Sequence, residues 1–442
     1  MTYRLVVEGE YLIALSEFFN AGRDGSRPAP TRLRRLTDKE KSLIRSLYDL
    51  SPQDAQVISD IETKGYKNIK ATDHDVKAVE YYIKDRLGKT SLKDVLEWIH
   101  FGLTSYDTNT PARAMMLSDG LESVIIPELN EIEKNLESFA KRSRNLPMLA
   151  RTHGQPASPT TFGKEFKVFS HRLKIQLDEL KNKRLSVKFS GATGNFNAHV
   201  AAFPKVDWIK FSKDFIKILN RKRLIALEPN LIATQIDPHD SEAAIFDNLR
   251  RINTILINFN QDMWRYISDD WIVQKPVDGT IGSSTMPHKI NPIKFENSEG
   301  NLGLANALFE FFSRKLPISR LQRDLSDSTV ERNFGTALAH CLIAYEYVLK
   351  GLSGITVNEK KVRDDLNNHP EVIAEAIQTV LRREGVKMPY EKLKELTRGK
   401  QITLNDIHQF IDTLDVSPAV KKELKNFTPE NYIGLATKLA LM

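Results

Sequence analysis

A single cysteine, Cys341, rules out an internal disulfide. Its neighbours Ala339 and Leu342 offer no electropositive surroundings, so a small core residue in a reducing, cytoplasmic setting is expected rather than a thiolate nucleophile. No run of eighteen apolar residues occurs, so no membrane-spanning helix is expected. The opening segment MTYRLVVEGEYLIALSEFF is interrupted by Glu8 and Glu10 and lacks a basic head, which argues against a signal peptide. The spacings of metal hydrolases (HExxH, CxxC) are missing, and the 10 histidines stand in no ligand pattern, so no metal is expected. Phosphate-binding glycine loops are missing as well. GKTS at 88–91 ends like one, but the upstream glycine is replaced by Ile83, and neither G-x-G-x-x-G nor the nucleophile elbow G-x-S-x-G occurs. The net charge of +7 favours anionic partners. Yet the densest basic runs, RLRR (32–35) and KRSR (141–144), carry no interleaved aromatics; they read as solvated helix faces, with no nucleic acid implied.

What the chain does have is long amphipathic helix. Apolar residues recur in steps of four and three at Ile252, Leu256, Phe259, Met263 and Tyr266, and at Phe334, Leu338, Cys341, Tyr345, Val348 and Leu352. Shorter runs do the same at Phe166, Phe169, Leu173, Leu177 and Leu180, and at Leu129, Ile132, Leu136 and Phe139. One apolar seam per helix is the pattern of a bundle, so the fold class is mainly α with a central long-helix bundle. Residues 186–200 are the main exception, read as loop with a short ribbon. A chain of 442 residues is too long for one core. Its soft boundaries divide it into shorter helices over 1–93, long helices over 94–350, and proline-punctuated short helices over 351–442.

Three polar stretches break the periodicity: GLTSYDTNTPAR (102–113), ARTHGQPASPTTFG (150–163) and GSSTMPHKINPIKFEN (282–297). Each holds a capping residue followed by proline, Thr110-Pro111, Ser158-Pro159 and Asn291-Pro292, which predicts a helix start at each. Free N–H groups and the dipole there favour an anion. Either these are three well-capped surface loops, or they converge on a multiply anionic small molecule. A helix over 111–146 would be roughly 50 Å long, with one polar loop before it and another after it. If both serve one site they must meet across subunits, which predicts a homo-oligomer with shared sites. The residue types leave acid–base chemistry. His153 has the right intrinsic pKa for proton transfer near neutrality. Ser283 or Ser284 could act as a base if Lys289 and loop N–H groups stabilise the alkoxide. Glycines before the serines and prolines after them predict a lid.

GSSTMPHKINP (282–292) resembles the signature loop of the fumarase/aspartase superfamily, whose members eliminate fumarate from a succinyl-bearing substrate. TSYDTNTPA and RTHGQPASP resemble that superfamily's other two signature regions, in the same order. His288, between Pro287 and Lys289, is similar to the adenylosuccinate lyase family, as are residues 71–84, 234–240, 295–304, 321–333 and 389–400 of its longer bacterial form. The resemblance implies a three-domain superfamily fold whose central helices assemble into a multi-subunit core. It implies a C–N lyase of purine biosynthesis acting on adenylosuccinate and on the succinyl-carboxamide imidazole ribotide, with no cofactor, as a homotetramer with sites built from several subunits. Residue by residue, it implies His153 as general acid, Ser283 as base, and Lys289 and Asn291 as holders of the carboxylate. Thr104, Ser105, Gln235 and Asn297 would bind polar groups of the substrate. His74, Asp75, Arg323, Ser328 and Arg332 would bind the nucleotide end. Two departures stand out. This sequence starts downstream of the phosphate-binding DGRY-like segment of the long form, for which DGSR at 24–27 is no substitute, and Asp73 stands where relatives commonly have Asn. The alternatives are a sister lyase or cycloisomerase, or a helical oligomer with impaired catalysis.

Overall fold

The computed structural model describes residues 1–21, 31–275, 286, 288–397 and 402–442, side chains at 392 and 395–397 excepted. The apolar seams are helices: Ile126–Arg142, Phe162–Lys181, Asp240–Ser268 and Phe334–Ser353. Leu129, Ile132, Leu136, Phe166, Leu173, Leu256, Phe259, Cys341 and Tyr345 are buried, each on the face its spacing assigns. Each large apolar side chain buried this way contributes about 1.5–3 kcal/mol. The mainly helical fold expected from periodicity is the fold observed.

By contacts, the chain divides into two compact units. The first comprises Met1–Pro127, Asp178–Arg250 and Ala305–Leu338. Its N-terminal helix Thr2–Phe19 buries Tyr11 among Phe189, Phe211 and Phe215, all edge-on to its ring. The Tyr11 hydroxyl, sealed in that cluster, donates to the Phe101 carbonyl at 2.7 Å and lies 3.1 Å from His199 Nε2. One aromatic residue thus ties a turn and the short helix Asn197–Ala202 to the N-terminal helix. Strands Arg184–Lys188 and Ala226–Asn230 pair in parallel, so the expected ribbon exists, with its partner drawn from further along the chain.

The second unit comprises Glu128–Leu177, Arg251–Leu304 and Ala339–Met442. It holds an antiparallel hairpin, Pro147–Thr152 with Gln155–Thr161, and a short antiparallel pair, Ile272–Gln274 with Ile355–Val357. Short helices from Glu359–Asn367 onward complete it.

Two expected helix starts are corrected. Thr110-Pro111 lies inside a helix that begins at Ser105, because the Asp107 carboxylate accepts from the Thr104 N–H at 2.9 Å and closes the first turn six residues early. Ser158-Pro159 lies in the second hairpin strand, and the following helix starts at Phe162, where Thr161 Oγ1 accepts from the Lys164 N–H at 3.2 Å. Asn291-Pro292 does precede a helix, Ile293–Lys315.

Candidate active site

The first unit contains a cavity of about 660 Å³ whose walls come from Glu62 and from four segments far apart in sequence. The N-terminal helix supplies Tyr3 and Arg4, and the start of the helix Asp75–Leu87 supplies Asp73, His74 and Asp75. Ser105, Tyr106, Asn109 and Arg113 come from one face of the helix Ser105–Gly120. The segment around the short helix Ser326–Glu331 supplies Arg323, Ser328, Glu331 and Arg332. Six of the residues expected to contact substrate (His74, Asp75, Ser105, Arg323, Ser328, Arg332) therefore share one cavity.

Local structure dictates what each presents. His74 caps its helix: Nδ1 accepts from the Lys77 N–H at 3.2 Å, an assignment that leaves the proton on Nε2. Asp75 is occupied, pairing with Arg4 Nη2 at 2.5 Å and capping Val76 N–H at 2.8 Å. Arg4 in turn donates from Nε to Asn109 Oδ1 at 2.7 Å. Asp73 sits exposed at the rim with φ +48°, a left-handed conformation that Asp and Asn tolerate better than most residues.

Arg323 stacks on the Tyr106 ring with its guanidinium carbon 3.8 Å from the centroid. Its Nη2 is 3.7 Å from Asp327 Oδ1, and its Nη1 is 3.5 Å from Gln235 Oε1, which brings Gln235 to the same wall. Arg332 differs. Its Nη1 donates to the Ser328 carbonyl at 3.0 Å and to Ser328 Oγ at 2.7 Å, and no carboxylate among the described residues pairs with it. A half-satisfied guanidinium beside a hydroxyl is a ready receptor for a phosphate.

Thr104 is held by Asp107, whose fully buried carboxylate binds Lys188 Nζ at 2.7 Å and the Ser190 N–H at 2.8 Å, as well as the Thr104 N–H at 2.9 Å. Burial lowers the Lys188 pKa and Asp107 opposes that shift. This buried pair joins the loop before the helix to the loop after strand Arg184–Lys188.

The remaining expected residues belong to the second unit. His153 is exposed at the tip of the hairpin with φ +53°, followed by Gly154 at +76°, the two-residue turn that matches strand twist. Lys289 is exposed, with its N–H donating to the Met286 carbonyl at 3.1 Å. Asn291 stands two residues before the helix Ile293–Lys315, and Asn297 is exposed on it. Ser283, the expected base, lies outside the described residues.

Arg4, Asn109 and Arg113 line the cavity without having been expected there. For Asn109 and Arg113 a signal existed: they stand four and eight positions after Ser105, on its face of the helix. No local pattern marks Arg4, which reaches the site through tertiary packing.

Comparison with known proteins places this arrangement. The family described as "Lyase" matches residues 41–306, and "Adenylosuccinate lyase C-terminal" matches 319–433. The solved fumarate lyase of Mesorhizobium sp. BNC1 superposes with a TM-score of 0.71 at 17% identity, covering 99% of this chain and 94% of that one. The 3-carboxy-cis,cis-muconate lactonizing enzyme of Pseudomonas putida gives 0.70 at 19%, covering 99% and 92%. The fold is therefore that of the fumarate lyase superfamily. Adenylosuccinate lyase of Dictyostelium discoideum is 47% identical over 98% of this chain and 91% of its own length, and that of Escherichia coli K12 is 47% identical over 87% and 82%. The chain belongs to the adenylosuccinate lyase family.

Proposed function

We propose that the cavity of the first unit receives the nucleotide end of a succinyl nucleotide, with Arg332 and Ser328 at its phosphate. The activity is that of the family, cleavage of adenylosuccinate to AMP and fumarate in purine biosynthesis. The observation that carries the assignment within the chain is the grouping of His74, Arg323, Ser328 and Arg332 in one cavity in which Arg332 has no carboxylate partner among the described residues. Arg323, over the Tyr106 ring, lends a second cation, and His74 Nε2 a further donor.

The chemistry is a β-elimination. Ser283 takes a proton from the succinyl carbon beside a carboxylate, and Lys289 and Asn291 hold that carboxylate as charge builds on it. The C–N bond then breaks, and His153 delivers a proton to the departing nitrogen. Thr104, Ser105, Gln235 and Asn297 bind the substrate's polar groups, and Asp75 acts through Arg4. The succinyl-carboxamide imidazole ribotide, with the same succinyl-amine and phosphate ends, is a second substrate. The protein works as a cytoplasmic homotetramer with shared sites and functional divisions at 1–93, 94–350 and 351–442. No helix among the described residues is long and apolar enough to cross a membrane. Ile318, Leu321 and Leu325 are 64%, 90% and 69% exposed beside Arg323, an apolar rim that supports coverage by another subunit.

Arg332→Ala tests the assignment. Loss of a charge-assisted phosphate contact is worth about 1.5–3 kcal/mol, so KM for adenylosuccinate should rise about ten- to a hundredfold with kcat much less affected. An unchanged KM would place the phosphate elsewhere.

A further inference from the structure

Behind the cavity wall lies a buried ionic network that the reaction itself does not use. His239 is fully buried, with φ +64°, just before the helix Asp240–Ser268. Its Nδ1 is 3.3 Å from Arg113 Nη2 and 3.6 Å from Glu242 Oε1. Its Nε2 is 3.5 Å from Glu331 Oε1 and 3.8 Å from Asp327 Oδ2. Arg113 also pairs with Glu331, and Arg323 with Asp327. Tyr106 OH donates to Glu331 Oε2 at 3.4 Å. Below His239 in the chain, Asp237 accepts the His239 N–H at 3.2 Å and is itself held by Ser186 and Asn230.

His239, Asp327 and Glu331 bring ligand atoms within 4.8 Å of one another, a spacing a metal ion could use. The Arg113 guanidinium, in contact with Glu331, already occupies the position of the counter-charge, so the set is an ion-pair network. Glu242, Asp327 and Glu331 face Arg113 and Arg323, and an imidazolium at His239 supplies the third cation; burial and Glu242 raise the pKa of the fourth carboxyl, Asp237. Unpaired charge at this depth is costly, so the balance has to be kept.

We propose that His239 is a positioning residue for nucleotide binding: held behind the cavity, it anchors Asp327 and Glu331 and so fixes Arg323 and Arg113 along the wall. This rests on the cavity's being the nucleotide site. Only the wall residues Tyr106, Arg113, Arg323 and Glu331 reach the cavity; His239 touches no substrate. The electrostatics agree. Burial and Arg113 push the His239 pKa down, but Asp327 and Glu242 reverse this and raise it to about 9. The cation is thus fully present below the ordinary imidazole value of about 6.5 and is lost as pH rises through about 9.

The test is a double-mutant cycle with His239→Gln and Arg323→Ala, reading KM for adenylosuccinate and the Kd of AMP. His239→Gln should raise both about tenfold with kcat changed less than about threefold. In the Arg323→Ala background the same substitution should have a clearly smaller effect, because the part of its action that runs through Asp327 and that arginine is already lost. The wild-type KM should rise above about pH 9, and the variant's should not. Additive effects, an unchanged KM, or a pH rise that persists in His239→Gln would overturn the proposal. Should His239→Gln fail to fold by circular dichroism, Asp327→Asn goes through the same cycle, and additivity there overturns it equally. Arg332→Ala separates the two claims. If its KM is normal, the nucleotide assignment fails; if its KM rises while the cycle is additive, only the role of His239 fails.

Discussion

Asp73 is the residue most at odds with its surroundings. It places a carboxylate at the rim of the cavity proposed to receive a phosphate, while its φ of +48° suits either Asp or Asn. Asp73→Asn keeps the backbone and removes the charge. An exposed charge of this kind is worth about 0.2–1 kcal/mol, so KM should fall up to about fivefold, more at low salt than at high. A rise in KM on this substitution would show that Asp73 contributes a contact rather than a repulsion. The neighbouring residues divide by how they could be read. His74, Arg323, Ser328 and Arg332 were named from whole motifs, and what the structure adds is that one cavity collects all four. Arg4 and His239 were not, because their roles come from partners 71 and 88 or more positions away: Asp75 for Arg4 and Asp327 for His239.

Helices were legible wherever an apolar seam ran at steps of four and three, since that spacing and burial have one cause. Helix starts were less so. Proline behind a capping residue reads as an N-terminus, but Asp107 captured the Thr104 N–H ahead of Pro111, and pairing of the residues on either side, Ala157 and Thr160, kept Ser158-Pro159 within a strand at its irregular point. The hairpin that carries His153 depends on how it leaves its second strand. There the Phe162 N–H donates to the Leu146 carbonyl at 2.9 Å and the Gly163 N–H to the Ser143 carbonyl at 3.0 Å. A Cβ at Gly163 would run into the backbone of Ala140 and Arg144. Gly163→Ala should therefore destabilise the protein by about 1–3 kcal/mol. Urea denaturation would register this as a lower midpoint at unchanged slope, and an unchanged midpoint would mean that the junction yields.

The proposed catalytic groups are distributed between two compact units of the chain: the nucleotide-binding residues in the first, and His153, Lys289, Asn291 and Asn297 in the second. If sites are shared among subunits, two defective proteins can repair each other. His153→Ala and Ser283→Ala should each lower kcat by about 10²–10⁴-fold. Mixed and allowed to exchange subunits, they should recover a substantial part of the wild-type rate. A mixture no more active than its components would place acid and base in the same subunit. The most direct test of the whole account is a crystal structure with AMP bound. The account predicts the phosphate within hydrogen-bond distance of Arg332 and Ser328, in the cavity that Arg323 and His74 also line. A phosphate bound where it touches none of these four residues would contradict it.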